Sequence, residues 1–199
     1  MSKSPTKILT ITELKQRLKD ISREELIVLL VETLKANKNA QAFVSVKLLG
    51  ENAVLELAEE CKAKVRKEFY PDRGDPKVRV AKVREVISDF NKIVKETAGP
   101  LELMVFFAET AVQSIHESGD IFEDMGDYLT DTYDRIIQRI NKEKTPELYD
   151  RYKDRLRAIA DTKNCECWGI RDSLEGSYSD LKWLKDDAKV TRLTDDAHT

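Results

Sequence analysis

The chain has 199 residues, 41% hydrophobic and 36% charged, and its 34 Lys and Arg against 37 Asp and Glu leave a net charge of −3. A chain of this length buries about 70% of its unfolded surface and needs no disulfide or metal to fold. Only 7 Gly and 5 Pro exclude collagen-like, proline-rich and turn-dense all-β chains and favour long helices. The charge balance announces neither a nucleic-acid binder nor a binder of acidic substrates.

Hydrophobic spacing is helical almost throughout. A flexible lead over residues 1–11 contains Pro5, and a helix is expected over 13–20 with Thr12 as its cap. Ser22 and Glu25 have the spacing of a capping box and open a second helix in which Leu26, Leu29, Leu30 and Leu34 share a face. A third helix covers about 40–49 and ends at Gly50, a C-terminal cap residue. The fourth repeats Val54, Leu57, Ala58, Cys61 and Val65 and stops at Tyr70-Pro71. After the turn-rich segment 71–76, a fifth helix carries Val80, Val83, Ile87, Phe90 and Val94. The sixth, about 101–118, is uncharged from 103 to 108 and reads as the central buried element. The seventh spans about 121–141, the eighth opens at Thr145-Pro146, and the ninth carries Leu174, Tyr178 and Leu181. No strand period survives, so the expectation is an all-α domain over 12–185. About nine helices would stack as antiparallel pairs, as a bundle or a short α-solenoid, before a frayed tail at 186–199.

Three stretches, LKQRLKDISREELIVLLVETL (14–34), RKEFYPDRGDPKVRVAKVREVISDF (66–90) and WGIRDSL (168–174), resemble a bacterial domain-of-unknown-function family of small all-helical proteins. The resemblance covers roughly 14–178 and implies an all-helical, intracellular bacterial protein without established catalytic residues. The family pattern can place a histidine where this chain has Arg171.

Charge is segregated within the chain. Residues 62–84 hold nine cations (Lys62, Lys64, Arg66, Lys67, Arg73, Lys77, Arg79, Lys82 and Arg84) against Glu68, Asp72 and Asp75, a local +6. Residues 117–134 hold seven acids and no Lys or Arg, a local −7. Within them Asp124, Asp127, Asp131 and Asp134 step by three, four and three and line one stripe. Like charges at that spacing cost about 0.2–0.5 kcal/mol per pair, so a solvated face or pairing with a basic surface is expected. Arg73, Lys77, Arg79, Lys82 and Arg84 form the matching basic patch. A phosphate or nucleic-acid grip there, with Phe69 or Tyr70 stacking a base, is the alternative.

Catalytic and metal motifs mostly fail. There is no His-Glu-x-x-His, no Gly-x-Ser-x-Gly and no phosphate loop. Glu109, Gln113 and His116 share a helix face leading to Asp120, a weak candidate for a metal or acid–base centre. Cys165-Glu166-Cys167 is one residue short of the redox and zinc spacing. Three cysteines, an odd number, argue against a disulfide framework. No apolar stretch follows Lys3 and Lys7 as a signal peptide requires, and the longest apolar runs, 26–31 and 103–108, fall short of the ~18 residues that cross a bilayer. The expectation is a cytoplasmic, non-catalytic interaction or adaptor protein, with no cofactor and no membrane association. It would use its basic and acidic surfaces on a protein partner or on itself.

Overall fold

The computed structural model describes residues 8–94, 99–119, 124–143, 145–162 and 169–183. Among them lie nine helices and no strand: α1 (Ile11–Lys19), α2 (Arg23–Ala36), α3 (Lys38–Leu49), α4 (Glu51–Phe69), α5 (Val80–Ile93), α6 (Gly99–Ser118), α7 (Met125–Glu143), α8 (Pro146–Ala160) and α9 (Ile170–Ser179). The molecule is an all-α helical bundle. The lead before Ile8, the tail after Trp183, Cys165, Cys167, Trp168 and Asp120 lie outside the described residues.

Local chemistry sets most boundaries. Ser22 and Glu25 form the expected reciprocal box, with the Glu25 amide donating to Ser22 Oγ at 3.2 Å and the Ser22 amide donating to Glu25 Oε2 at 3.0 Å. The cap of α1 is Thr10, two residues before the expected Thr12. Thr10 has a glutamate three residues on, and its amide donates to Glu13 Oε2 at 2.7 Å, whereas Thr12 is followed at that distance by Lys15, which cannot accept. Asn37 starts α3 two residues early by accepting from the Ala40 amide at 3.1 Å. Gly50, at φ 67, is both the end of α3 and the start of α4. Pro146 opens α8.

α6 is the hub, as its uncharged stretch suggests. Eleven of its residues are buried, and it touches α4, α5, α7 and α8. Phe107 joins Phe69 of α4 and Tyr128 of α7, with ring centroids 6.2 and 5.0 Å away. α9 closes over α7 and α8. Its end is clasped by Asn141, whose amide donates to the Asp180 carbonyl at 2.9 Å and accepts from the Lys182 amide at 2.9 Å. Tyr133 donates its hydroxyl to the Leu156 carbonyl at 2.8 Å inside the core, giving a buried polar atom the partner it requires. Trp183 stacks on Tyr149 at 5.9 Å.

The 70–79 connection is pinned from one residue. Glu68 receives a fork from Arg79, Nε to Oε2 and Nη2 to Oε1, both at 2.8 Å. The neighbouring Val78 holds φ 31, a region disfavoured for a β-branched residue. Burial of its side chain and a hydrogen bond donated by its amide to the Glu68 carbonyl at 3.2 Å offset that cost.

The continuous hydrophobic core begins at Val54 and ends at Leu181. α1, α2 and α3 contribute no buried residue to it. α3 leans on α4 and α5, and α2 on α3. A hydrogen bond from Asn39 to Asp89, at 2.7 Å, ties α3 to α5.

Candidate functional site

The apolar surface left uncovered by α1–α3 is the most distinctive feature of the molecule. In α2, Ile27, Val28, Leu29, Leu30 and Val31 are exposed at 51, 58, 45, 48 and 42%. At about 100° per residue, five consecutive side chains sweep the whole circumference of a helix. A helix apolar all round is normally buried all round, yet this chain covers α2 chiefly with α3. Their spacing puts Leu26, Leu29, Leu30 and Leu34 on one face of the helix. The structure leaves Leu29 and Leu30 exposed and Leu26 and Leu34 half-buried. The signal was present in the run 26–31, which has no polar residue to mark an outer side.

A separate groove of about 750 Å³ lies beside α3. Phe43 and Val46 of α3, Val54, Leu55 and Ala58 of α4, and Ile93 and Val94 are its apolar lining, and Lys62, Glu102 and Tyr152, which bond to one another through Glu102, are among its polar lining. The α4 wall of the groove is fixed by the core residues on the other face of that helix, whereas α3 forms the opposite wall without burying a residue.

The basic segment is exposed throughout at Arg73, Lys77, Arg79, Lys82 and Arg84, but its members are differently engaged. Arg79 is bound to Glu68, and that fork holds the Glu68 carboxyl below its ordinary range. Arg84 lies 4.6 Å over the Tyr128 ring, which Arg135 also approaches at 5.7 Å. Phe69 is buried, and the half-exposed Tyr70 donates its hydroxyl to Glu117 at 2.9 Å. Burial, then the Glu117 carboxylate, push the Tyr70 phenol up to about 12.

Asp124, Asp127, Asp131 and Asp134 are exposed on α7 and the turn before it, opposite Met125, Tyr128, Leu129, Thr132 and Ile136, which are buried. Asp134 accepts a short hydrogen bond from Ser177 of α9. Arg84 shares a cleft of about 630 Å³ with Asp124 and Asp127, so the two charged regions adjoin where α5 and α7 begin. Among the described residues no ion pair joins them. Arg79 reaches Glu68 instead.

The polar stripe on α6 has a partner that the sequence did not name. Arg155 of α8 donates Nε to Glu109 Oε1 at 2.6 Å and Nη2 to Glu109 Oε2 at 2.7 Å. The same guanidinium gives Nη1 to Glu102 Oε2 at 2.8 Å. Lys62 of α4 lies 3.2 Å from Glu102 Oε1, and Tyr152 donates to Glu102 Oε2 at 3.1 Å. Burial alone would raise the Glu102 carboxyl, but Arg155 and then Lys62 hold it below its usual range. Burial, followed by the charge of Glu102, pushes the Tyr152 phenol up to about 12. Glu109 is therefore committed to a clamp between α6 and α8. Farther along α6, Gln113 donates to Glu117 at 2.8 Å, and His116 is exposed. Sequence spacing cannot reveal such a clamp, because Arg155 is 46 residues from Glu109.

Among the described residues no group of three or more His, Cys, Asp or Glu is placed to hold a metal ion. Cys61 is buried against the core, and burial raises its thiol pKa, which disfavours the reactive thiolate. No described helix is long and apolar enough to cross a membrane. No protein-family model matches the chain, and no curated protein or solved structure matches it.

Proposed function

We propose that this chain is a non-catalytic interaction protein, in which the α4–α9 body displays α1–α3 as an apolar docking surface and the segregated charges orient the partner. The observation that carries this reading is the five-residue aliphatic belt of α2, 42 to 58% exposed although the helix opens with a reciprocal capping box. Capping makes α2 a formed helix rather than a frayed end, so its apolar surface is presented in one shape. A patch larger than a few hundred Å² on a folded chain marks an interaction site. The basic segment and the acidic stripe lie exposed on the body and suit steering more than affinity, since exposed pairs are worth only ~0–1 kcal/mol.

A photo-crosslinking side chain at Val28, introduced into the chain in its host cells, tests the reading. A discrete adduct at Val28, absent when the crosslinker is moved to the exposed Asp154 on α8, is the expected result. No adduct at Val28 above that control refutes it.

A second reading, phosphate or single-stranded nucleic-acid binding, has one observation in its favour. Arg73, Lys77 and Lys82 are exposed and form no ion pair among the described residues. Binding of a single-stranded oligonucleotide that falls with salt and is lost on Lys77→Glu with Lys82→Glu would bring this reading forward.

A further inference from the structure

We propose that the partner of the α1–α3 surface is a second copy of this chain, held by antiparallel pairing of α2 on α2 about a two-fold axis at the helix midpoint. This rests on the interaction reading above and adds the identity of the partner.

The argument starts from the outward stripe of α2. Glu24, Val28, Val31 and Lys35 follow one another at steps of four, three and four, and all four are exposed. Residues at those steps lie along one helix face. α2 spans Arg23–Ala36, so its midpoint falls between Leu29 and Leu30. A two-fold axis through that point sets Val28 against Val31 of the second copy, and Val31 against Val28. The same axis sets Glu24 against Lys35 at both ends. The stripe is thus complementary to itself in reverse, with valines at the centre and opposite charges outside, which is the requirement of an isologous interface. An unrelated protein surface imposes no such palindrome.

Area points the same way. Ile8, Ile11, Leu48 and Leu49, just before α1, on it and at the end of α3, are also exposed, at between 67 and 91%. With the belt they expose on the order of 1,000 Å² in total, against ~800 Å² buried per partner in a stable complex. A second copy supplies an equal area at equal concentration. Pairing of two α2 helices, each backed by its own α3, also covers the Val28–Val31 face that one chain leaves bare.

Sedimentation velocity of the full chain, with light scattering for mass, is the deciding measurement. The expected species is a dimer of twice 22.9 kDa at micromolar concentration, persisting at about 1 M salt because its centre is apolar. Val28→Glu weakens association by roughly 100-fold or more, since it places an unpaired charge in the interface twice. α2 buries no residue in its own chain, so circular dichroism of that variant stays helical and a failure to fold does not confound the result. Glu24→Lys alone weakens the dimer, and adding Lys35→Glu recovers much of the loss, a rescue that only antiparallel pairing predicts. A monomer at all accessible concentrations overturns the inference. So does a dimer indifferent to Val28→Glu, or one that dissolves at high salt, which would assign association to the charged segments. If the Val28 crosslinker captures a different protein while the chain is monomeric, the homodimer fails and the interaction reading stands. If it captures nothing, the interaction reading itself fails.

Discussion

α7 and α2 are both aliphatic-rich helices in the same chain, and they meet opposite fates. In α7 the apolar residues fall on one stripe and the acids on the other, so Met125, Leu129, Ile136 and Ile140 are all buried while Asp127 and Asp131 face water. In α2 the apolar residues run consecutively, and no residue is buried. The same division separates the body, α4–α9, from the arm, α1–α3. The body gains its stability from interdigitated side chains around α6. The arm is held in shape by its own caps, by the hydrogen bond from Asn39 to Asp89, and by contact with α4 and α5. Hydrophobic content alone therefore does not mark a core; what decides is whether the pattern can turn one face toward other elements and another toward solvent.

The contrast is tested most severely by truncating one leucine in each region. Leu129→Ala in α7, where the side chain is fully buried, is expected to cost about 2–5 kcal/mol. Leu30→Ala in α2 is expected to cost under about 1 kcal/mol when read on the Val28→Glu chain, so that association does not contribute. Urea unfolding of both variants decides the matter, and equal losses would dissolve the distinction between body and arm.

Arg155→Ala probes what fastens the body. It leaves Glu102 and Glu109 without their shared cation at roughly one-third exposure, at an expected cost of about 1–3 kcal/mol at neutral pH. The Glu102 carboxyl is held below its ordinary value in the folded chain, so its contribution is complete above the unfolded value of about 4.3. It drains as pH falls through the lower, folded value. The gap between Arg155→Ala and the parent should accordingly narrow toward about pH 3, as followed by denaturant midpoints. An undiminished gap in acid would mean that Arg155 acts through packing on Tyr152, 5.5 Å away, and not through charge.

The arm responds differently. Ser22→Ala removes the α2 cap and should cost about 1 kcal/mol, read as faster amide exchange within α2 while exchange in α6 and α7 stays unchanged. Slowed or global effects would show that the arm and body unfold as one unit. The smallest expected effect belongs to the charged boundary. Arg84→Ala removes the cation over Tyr128 and should cost ~0.5–1 kcal/mol. Because Arg84 forms no ion pair among the described residues, that loss should change little with salt, whereas a strongly salt-dependent loss would identify Asp124 and Asp127 as its true partners.

Element existence and order were legible in the sequence because each helix carries its own punctuation. The Ser22–Glu25 box, Gly50, Tyr70-Pro71 and Pro146 act within a few residues, through hydrogen bonds and backbone sterics that need no tertiary partner. The core faces of α4, α5, α7, α8 and α9 were equally legible, since a three-and-four-residue spacing fixes which side chains share a surface, and α6 was marked by its uncharged stretch. The α1 cap, expected at Thr12, is instead Thr10, whose signal is the glutamate three residues on. What sequence periodicity left undetermined is where charge finds its partner and which apolar face goes uncovered. Arg79 choosing Glu68, Arg155 joining Glu102 to Glu109, and Arg84 lying over Tyr128 all depend on helices brought together across long stretches of chain. The bare belt of α2 depends on how many neighbours the fold supplies, which is a count of helices in space. Local periodicity encodes which face could be buried; only the packing of the whole chain decides whether anything is there to bury it.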